Sequence, residues 1–214
     1  MSTAPSRIPP TDIIFDLGKV LVPFDWDIAF RRLILHVPED IGRLVVEDRK
    51  TFMVNLALPC KQLECGQITF EQFFVKIREI TGLDASLEAF RDIWCDIFWL
   101  NDELVKIGSK LTQNYSCWLM SNTSEAHYRW ITTRFPSIEF YRKAALSYEL
   151  GHMKPDRQYY EKALELFGID PLKAVFIDDI QENLDGASLF GIRTIKYETN
   201  ESLIRLLSDY GVEV

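Results

Sequence analysis

DIIFD, residues 12–16, is a short apolar run that ends on an acid and gives way to a polar loop. SCWLMSN (116–122) and AVFIDD (174–179) repeat that form. Continuous apolar runs of this length suit strands of a parallel sheet covered on both faces, where neither side of the strand meets water. KAALSYE (143–149) and RTIKYE (193–198) are two further strand candidates. Between the runs lie helix patterns. PDRQYYEKALELFG (155–168) opens on proline and closes on glycine, and ENLDGASLFG (182–191) again ends in glycine. Alternating strands and helices predict an α/β protein with a doubly wound parallel sheet.

Residues 24–114 read differently, with helix patterns and no convincing strand. In ITFEQFFVKIREITG (68–82), Thr69 and Gln72 stand at capping-box spacing, and Phe73, Phe74, Ile77 and Ile80 are expected on one face. SLEAFRDIWCDIFWL (86–100) places Phe90, Ile93, Trp94, Ile97 and Phe98 at similar spacing. The expected organisation is a core of residues 1–23 plus 115–214, with an all-helical cap at 24–114 whose last helix, near 102–113, returns the chain to the sheet.

Length and composition agree with one such domain carrying an insert. The 214 residues are 47% hydrophobic and 26% charged, ordinary values for a globular protein. A net charge of −8 argues against nucleic acid, whose phosphates select basic surfaces. No stretch has the apolar length of a membrane span. The lead-in MSTAPSRIPPTD lacks the apolar centre of a signal peptide. Cys60, Cys65, Cys95 and Cys117 form no CxxC pair, so free thiols in a reducing cytoplasm are expected.

In open parallel sheets, ligands bind beyond the carboxyl ends of the strands. The polar residues there are Asp16, Ser121, Asn122, Asp178 and Asp179, with Lys154 just before the helix that starts at Pro155. Three carboxylates cannot all stay ionised together without a compensating cation. Oxygen ligands without clustered histidine or cysteine favour Mg²⁺ over zinc. The helix start near Thr123 or Ser124, together with Lys154, offers an anion site for a phosphoryl group.

FDLGKVL (15–21), LMSNT (119–123), KPD (154–156) and FIDDIQENLDGA (176–187) resemble, in order, the four motifs of the haloacid dehalogenase (HAD) superfamily. The resemblance spans nearly the whole chain and implies a Rossmann-like core with the helical cap after the first strand. ECGQITFEQF (64–73) and HYRWI (127–131) resemble the branch that contains glucose-1-phosphate phosphatases. It implies a Mg²⁺-dependent phosphatase of small phosphoesters, with sugar phosphates as expected substrates and a small phosphorylated metabolite as partner. Asp16 would attack phosphorus to form an aspartyl-phosphate that water then cleaves. Asp16, the carbonyl of Gly18 and Asp179 would hold Mg²⁺, with Asp178 ligating through water or positioning its neighbours. Ser121 and Asn122 would bind phosphoryl oxygens, Lys154 would neutralise them and orient Asp16, and Asn183 would support the metal shell. The protein is expected as a monomer or homodimer, since an aromatic-rich cap can hide a dimer contact.

One position departs from the pattern. The first motif of such phosphatases is Asp-x-Asp-Gly, whose second Asp protonates the leaving oxygen and then activates water; here that place is Gly18, followed by Lys19. Loss of general acid–base help costs typically about 10²–10⁴-fold in rate. Asp25 or Asp27 could supply the carboxylate if the chain folds back, the alternative being helix capping. Two other readings stay open: a metal-free 2-haloacid dehalogenase, and a catalytically weak binding or regulatory protein. Lys19 is expected toward solvent, His127 in a helix-face hydrogen bond, Trp94, Phe98 and Trp99 in the cap core, and Trp26 or Trp99 beside the pocket.

Overall fold

A computed structural model describes residues 9–214; residues 1–8 of the proline-rich lead-in lie outside the described residues. The first strand, β1 (Asp12–Phe15), is followed by helices α1 (Trp26–Leu33), α2 (Glu39–Glu47), α3 (Arg49–Glu64), α4 (Phe70–Thr81), α5 (Leu87–Cys95) and α6 (Asp102–Leu111). The chain continues through β2 (Ser116–Ser121), α7 (Glu125–Arg134), β3 (Ala144–Leu146), α8 (Ser147–Leu150) and α9 (Arg157–Phe167). It ends with β4 (Ala174–Asp178), α10 (Gln181–Ser188), β5 (Arg193–Lys196) and α11 (Asn200–Asp209). The strands form one sheet in the order β3-β2-β1-β4-β5, every neighbouring pair parallel.

Alternate side chains explain why the strands read as unbroken apolar runs. Ile13, Phe15, Cys117, Leu119, Val175 and Ile177 face one layer, built by Leu104 and Val105 of α6, Ile131 of α7, and Leu203 and Leu207 of α11. Ile14, Trp118, Met120 and Phe176 face the other, against Tyr159, Tyr160 and Ala163 of α9 and Leu184 and Ala187 of α10. Both faces are covered, so neither can carry polar residues. Where a charge does enter, it is satisfied: Asp12 accepts from Trp118 Nε1 at 2.8 Å and from Thr11 Oγ1 at 2.6 Å.

A separate cluster holds α1 to α5 together, with Phe30, Phe52, Phe73, Phe90 and Trp94 at its centre. Each fully buried side chain of this size contributes roughly 1.5–3 kcal/mol. The capping box of Thr69 and Gln72 starts α4 as expected, and Gly82 ends it in the left-handed conformation. Gly168 ends α9 in the same way.

Three expectations change. Ile80 is 38% exposed, because the buried stripe of α4 runs from Ile77 to Thr81, whose hydroxyl donates to the Ile77 carbonyl at 2.7 Å. Helix α5 stops at Cys95, and Phe98 instead bridges to Phe24 in an antiparallel contact. The segment 143–149 is strand only to Leu146; from Ser147 it turns into α8.

The chain leaves the sheet and returns to it along paired segments. Asp25 N donates to the Ile97 carbonyl at 3.2 Å, Trp99 N to Pro23 at 3.0 Å and Asn101 N to Leu21 at 3.0 Å. Among the described residues, no helix is long and apolar enough to cross a membrane. The four cysteines are free, three of them buried.

Candidate active site

Register brings the acids together. Phe15 pairs with both Leu119 and Ile177, so Asp16, Met120 and Asp178 follow at one level at the C-terminal edge of the sheet. The Asp16 amide donates to the Ile177 carbonyl at 2.9 Å, which fixes the acid beside β4. Ligand oxygens of Asp16, Asp178 and Asp179 lie within 4.8 Å of one another.

Lys154 sits in the middle of this group, 3% exposed. Its Nζ lies 2.9 Å from Asp16 Oδ1 and 2.7 Å from Asp178 Oδ2, and it donates to the Met120 carbonyl at 3.1 Å. Burial alone would lower the ammonium's pKa, but the two carboxylates outweigh it and hold it above its ordinary value. Asp16 is pushed up to about 7 by burial, against the pull of Lys154 and with Asp178 adding repulsion. Asp179 is raised by burial and then by Asp178. One lysine therefore does not balance three acids, and a hard cation among these oxygens would complete the neutralisation.

The acids differ in how they are held. Asp178 is fully buried: Oδ1 accepts from Ile180 N at 2.8 Å and Asn183 Nδ2 at 3.1 Å, and Oδ2 accepts from Asn183 Nδ2 at 3.0 Å as well as from Lys154. Asn183 thus braces Asp178, and its own carbonyl accepts from Tyr160 Oη at 2.6 Å. Asp179 is half-buried and takes part in none of these contacts. On Asp16, Oδ1 accepts from Leu17 N at 2.7 Å as well as meeting Lys154, and among the described residues Oδ2 has no hydrogen-bond partner.

Ser121 ends β2 inside the site, 1% exposed. Asn122 has a different engagement from the one expected. Its Oδ1 accepts from Lys154 N at 2.7 Å and its Nδ2 donates to the Lys154 carbonyl at 2.8 Å. Both ends of the amide are engaged in positioning Lys154, so the side chain acts as a brace for the lysine. Ser147 serves the same loop, accepting from Thr123 N at 2.9 Å and donating to the Thr123 carbonyl at 3.0 Å. Ser124 caps α7 by accepting from His127 N at 3.2 Å.

Beside the acids is a cavity of about 110 Å³, lined by Gly18, Phe24, Trp26, Glu64, Phe98, Ser121 and His127 among others. Gly18 sits directly under Phe24: a side-chain carbon there would stand 3.1 Å from the ring. Asp25 and Asp27 do not reach the cavity. Asp25 caps α1 by accepting from Asp27 N at 2.8 Å, and Asp27 pairs with Arg49. Lys19 is exposed, with Nζ 5.5 Å from the Phe24 ring centroid. Trp26 lines the cavity, whereas Trp99 is 46% exposed and outside the cap core. His127 is buried and lines the cavity; its Nε2 meets the Trp94 carbonyl at 3.1 Å, and burial pushes its pKa down to about 4. Sequence reasoning missed Phe24 and Glu64. Glu64 opens the run ECGQITFEQF, but nothing in that run marks which of its residues faces the sheet.

A parallel sheet with three acids, a buried lysine and a hydroxyl at its C-terminal edge defines an aspartate-centred HAD-type core. The chain belongs to the haloacid dehalogenase-like hydrolase family, which it matches over residues 13–191, and it is an enzyme of that hydrolase class. It is 25% identical over 196 residues to the D-ribitol-5-phosphate phosphatase of Bacteroides thetaiotaomicron, covering 87% of this chain and 91% of that protein. The crystal structure of a HAD family enzyme from the same bacterium superimposes with a TM-score of 0.82 at 28% identity, covering 94% and 99% of the two chains. The wild-type complex of that enzyme with magnesium and inorganic phosphate gives 0.78 at 27% identity, covering 92% and 98%. An L-2-haloacid dehalogenase from Xanthobacter autotrophicus shares the fold, with a TM-score of 0.59 at 14% identity and coverage of 94% and 83%.

Proposed function

We propose that the protein is a Mg²⁺-dependent phosphatase of small phosphoesters, sugar or polyol phosphates being the favoured class. The observation that carries this reading is Lys154, buried between Asp16 and Asp178, beside Asp179 and Ser121. Asp16 attacks phosphorus through a carboxylate oxygen, the ester oxygen leaves, and water later cleaves the aspartyl-phosphate. Lys154 holds Asp16 in line and offsets phosphoryl charge, Ser121 donates to a phosphoryl oxygen, and the start of α7 adds backbone N–H donors. Asp16, the Gly18 carbonyl and Asp179 would hold Mg²⁺, which would supply the positive charge that lets a dianionic phosphoryl group approach three acids. Asn122 and Asn183 act through Lys154 and Asp178, respectively.

Two observations support a small substrate. The cavity, about 110 Å³, is well below the roughly 300–1,000 Å³ of pockets for drug-sized ligands. The similar proteins include a ribitol-phosphate phosphatase and a magnesium–phosphate complex. The cap is read as Phe24 to Trp99, because the residues of α6 pack under the sheet and not with α1 to α5. A haloacid dehalogenase finds less support, since three clustered acids would repel a haloacid carboxylate.

The test is phosphate release from a panel of sugar, polyol and aryl phosphates, with Mg²⁺ and with EDTA, for wild type and Asp16→Asn. Mg²⁺-dependent release that disappears in Asp16→Asn is expected. Release undiminished by that substitution overturns the nucleophile assignment, and chloride release from haloacids without phosphate release overturns the reaction.

A further inference from the structure

The first motif lacks its second acid, and the cavity beside it holds another. Glu64 is the last residue of α3 and lines the same cavity as Gly18 and Ser121. Phe24, Trp26 and Phe98 line that cavity with it. Among the described residues the Glu64 carboxyl has no hydrogen-bond or ion-pair partner. A carboxyl group in this position is unusual on two physical grounds. Apolar walls disfavour its charge, and so do the exposed carbonyls at the C-terminus of its own helix. Both effects favour the neutral acid, the form that can give a proton away.

We propose that Glu64 is the general acid and base of the reaction, supplying from the cap the carboxyl group that Gly18 does not. The proposal rests on the phosphatase reading above. In the first step, Asp16 bonds to phosphorus while the bond to the ester oxygen breaks, and that oxygen takes the Glu64 proton to leave as an alcohol. In the second, the Glu64 carboxylate takes a proton from water as its oxygen bonds to phosphorus. The bond to Asp16 breaks, phosphate departs, and both side chains return to their starting states.

Burial pushes Glu64 up to about 7, where one group can serve in both steps near neutral pH. The titratable groups around it do not supply a rival charge. Cys60, one turn earlier, is pushed up to about 12 by burial and then by Glu64, so it stays a neutral thiol. His127, which also lines the cavity, is neutral, with its pKa lowered to about 4 by burial. Tyr148, on α8 packed against α3, is raised by burial and stays protonated, and among the described residues neither it nor Lys61 is hydrogen-bonded or ion-paired to the carboxyl.

The test compares Glu64→Gln with wild type on an alkyl phosphate, whose leaving oxygen needs a proton, and on 4-nitrophenyl phosphate, whose leaving oxygen does not. For the alkyl ester kcat should fall by about 10²-fold or more, and KM should change little. For the aryl ester, the phosphorylation step should be nearly unchanged. The wild-type fall in alkyl-ester kcat/KM above neutral pH should be absent in the variant. Infrared pH titration of the metal-free protein should show a carboxyl protonating near pH 7 that Glu64→Gln removes. Should Glu64→Gln not fold, Glu64→Asp takes its place, with partial alkyl-ester turnover expected. Equal losses on both esters in kcat/KM, which reports only steps up to departure of the leaving group, or a change confined to KM, would make Glu64 a binding residue and overturn the proposal. An active wild type with an equally active Glu64→Gln overturns this proposal alone; a wild type that releases no phosphate from any ester overturns the phosphatase reading with it.

Discussion

The Phe24 ring lies 3.1 Å from where a side-chain carbon on Gly18 would stand. The glycine and the phenylalanine are therefore one feature: the first motif lacks its second acid, and an aromatic ring from the start of the cap covers that place. An acid at residue 18 could be added only by moving the ring.

Gly18→Asp should accordingly lose stability and gain little activity. Overpacking of this kind costs about 1–3 kcal/mol, and each kcal/mol lowers Tm by roughly 2–4 °C in a protein of this size. Adding Phe24→Ala should raise turnover on alkyl phosphates above that of Gly18→Asp alone. Thermal unfolding and phosphate release check both; an unchanged Tm in Gly18→Asp would mean the ring yields freely.

Lys154→Met leaves Asp16 and Asp178 buried beside each other without their shared cation. Breaking a buried pair in this way costs about 3–5 kcal/mol. Mg²⁺ binding among the same acids should restore part of the loss, so the Tm deficit is expected to be larger in EDTA than in Mg²⁺. A deficit identical in both conditions would argue that no cation sits among these carboxylates.

Asp178 and Asp179 should separate by readout. Asp179 takes part in none of the bonds that hold Asp178, so Asp179→Asn is expected to keep Tm and weaken Mg²⁺ binding by about tenfold or more, the scale on which metal-site contacts act. Asp178→Asn breaks a carboxylate held by Lys154, Asn183 and Ile180 N, so it should lower Tm first. Isothermal titration with Mg²⁺ beside thermal unfolding decides it; the reverse pattern would exchange the two roles.

His127 gives the fold a pH dependence whose sign follows from burial. Its pKa is lowered from 6.5 to about 4, so the unfolded chain binds this proton at a higher pH than the folded one. The stability tied to the neutral ring is complete above 6.5 and is lost as pH falls toward 4. His127→Gln should show a smaller drop in Tm than wild type across that window. Parallel Tm–pH curves for the two proteins would contradict the assignment.

Much of the core was legible in the sequence because its physical signals are local. Runs such as DIIFD and AVFIDD are apolar throughout because helices cover both faces of the sheet, and each ends in an acid because only the strand ends meet the site. The capping box at Thr69 and the glycines at 82 and 168 marked helix ends through backbone chemistry that needs no tertiary partner. Asp16, Ser121, Asp178 and Asp179 could be named as candidates on those grounds, and Lys154 through its KPD context.

What the sequence could not determine depends on how distant segments pack. Asn122 has a side chain suited to phosphoryl oxygens, and only the approach of Lys154 gives both of its ends to a backbone. Asp25 and Asp27 lay near enough in sequence to replace the missing acid, yet capping of α1 and the pairing with Arg49 turn them away. Either Trp26 or Trp99 could have stood beside the pocket by its place near a cap loop; the end of α5 at Cys95 leaves Trp99 exposed, while α1 carries Trp26 into the cavity. Glu64 reaches the same cavity as Gly18 although the two are far apart along the chain. Strand ends carry their chemistry in neighbouring letters, whereas a cap residue meets the site only through the packing of helices whose apolar faces look alike.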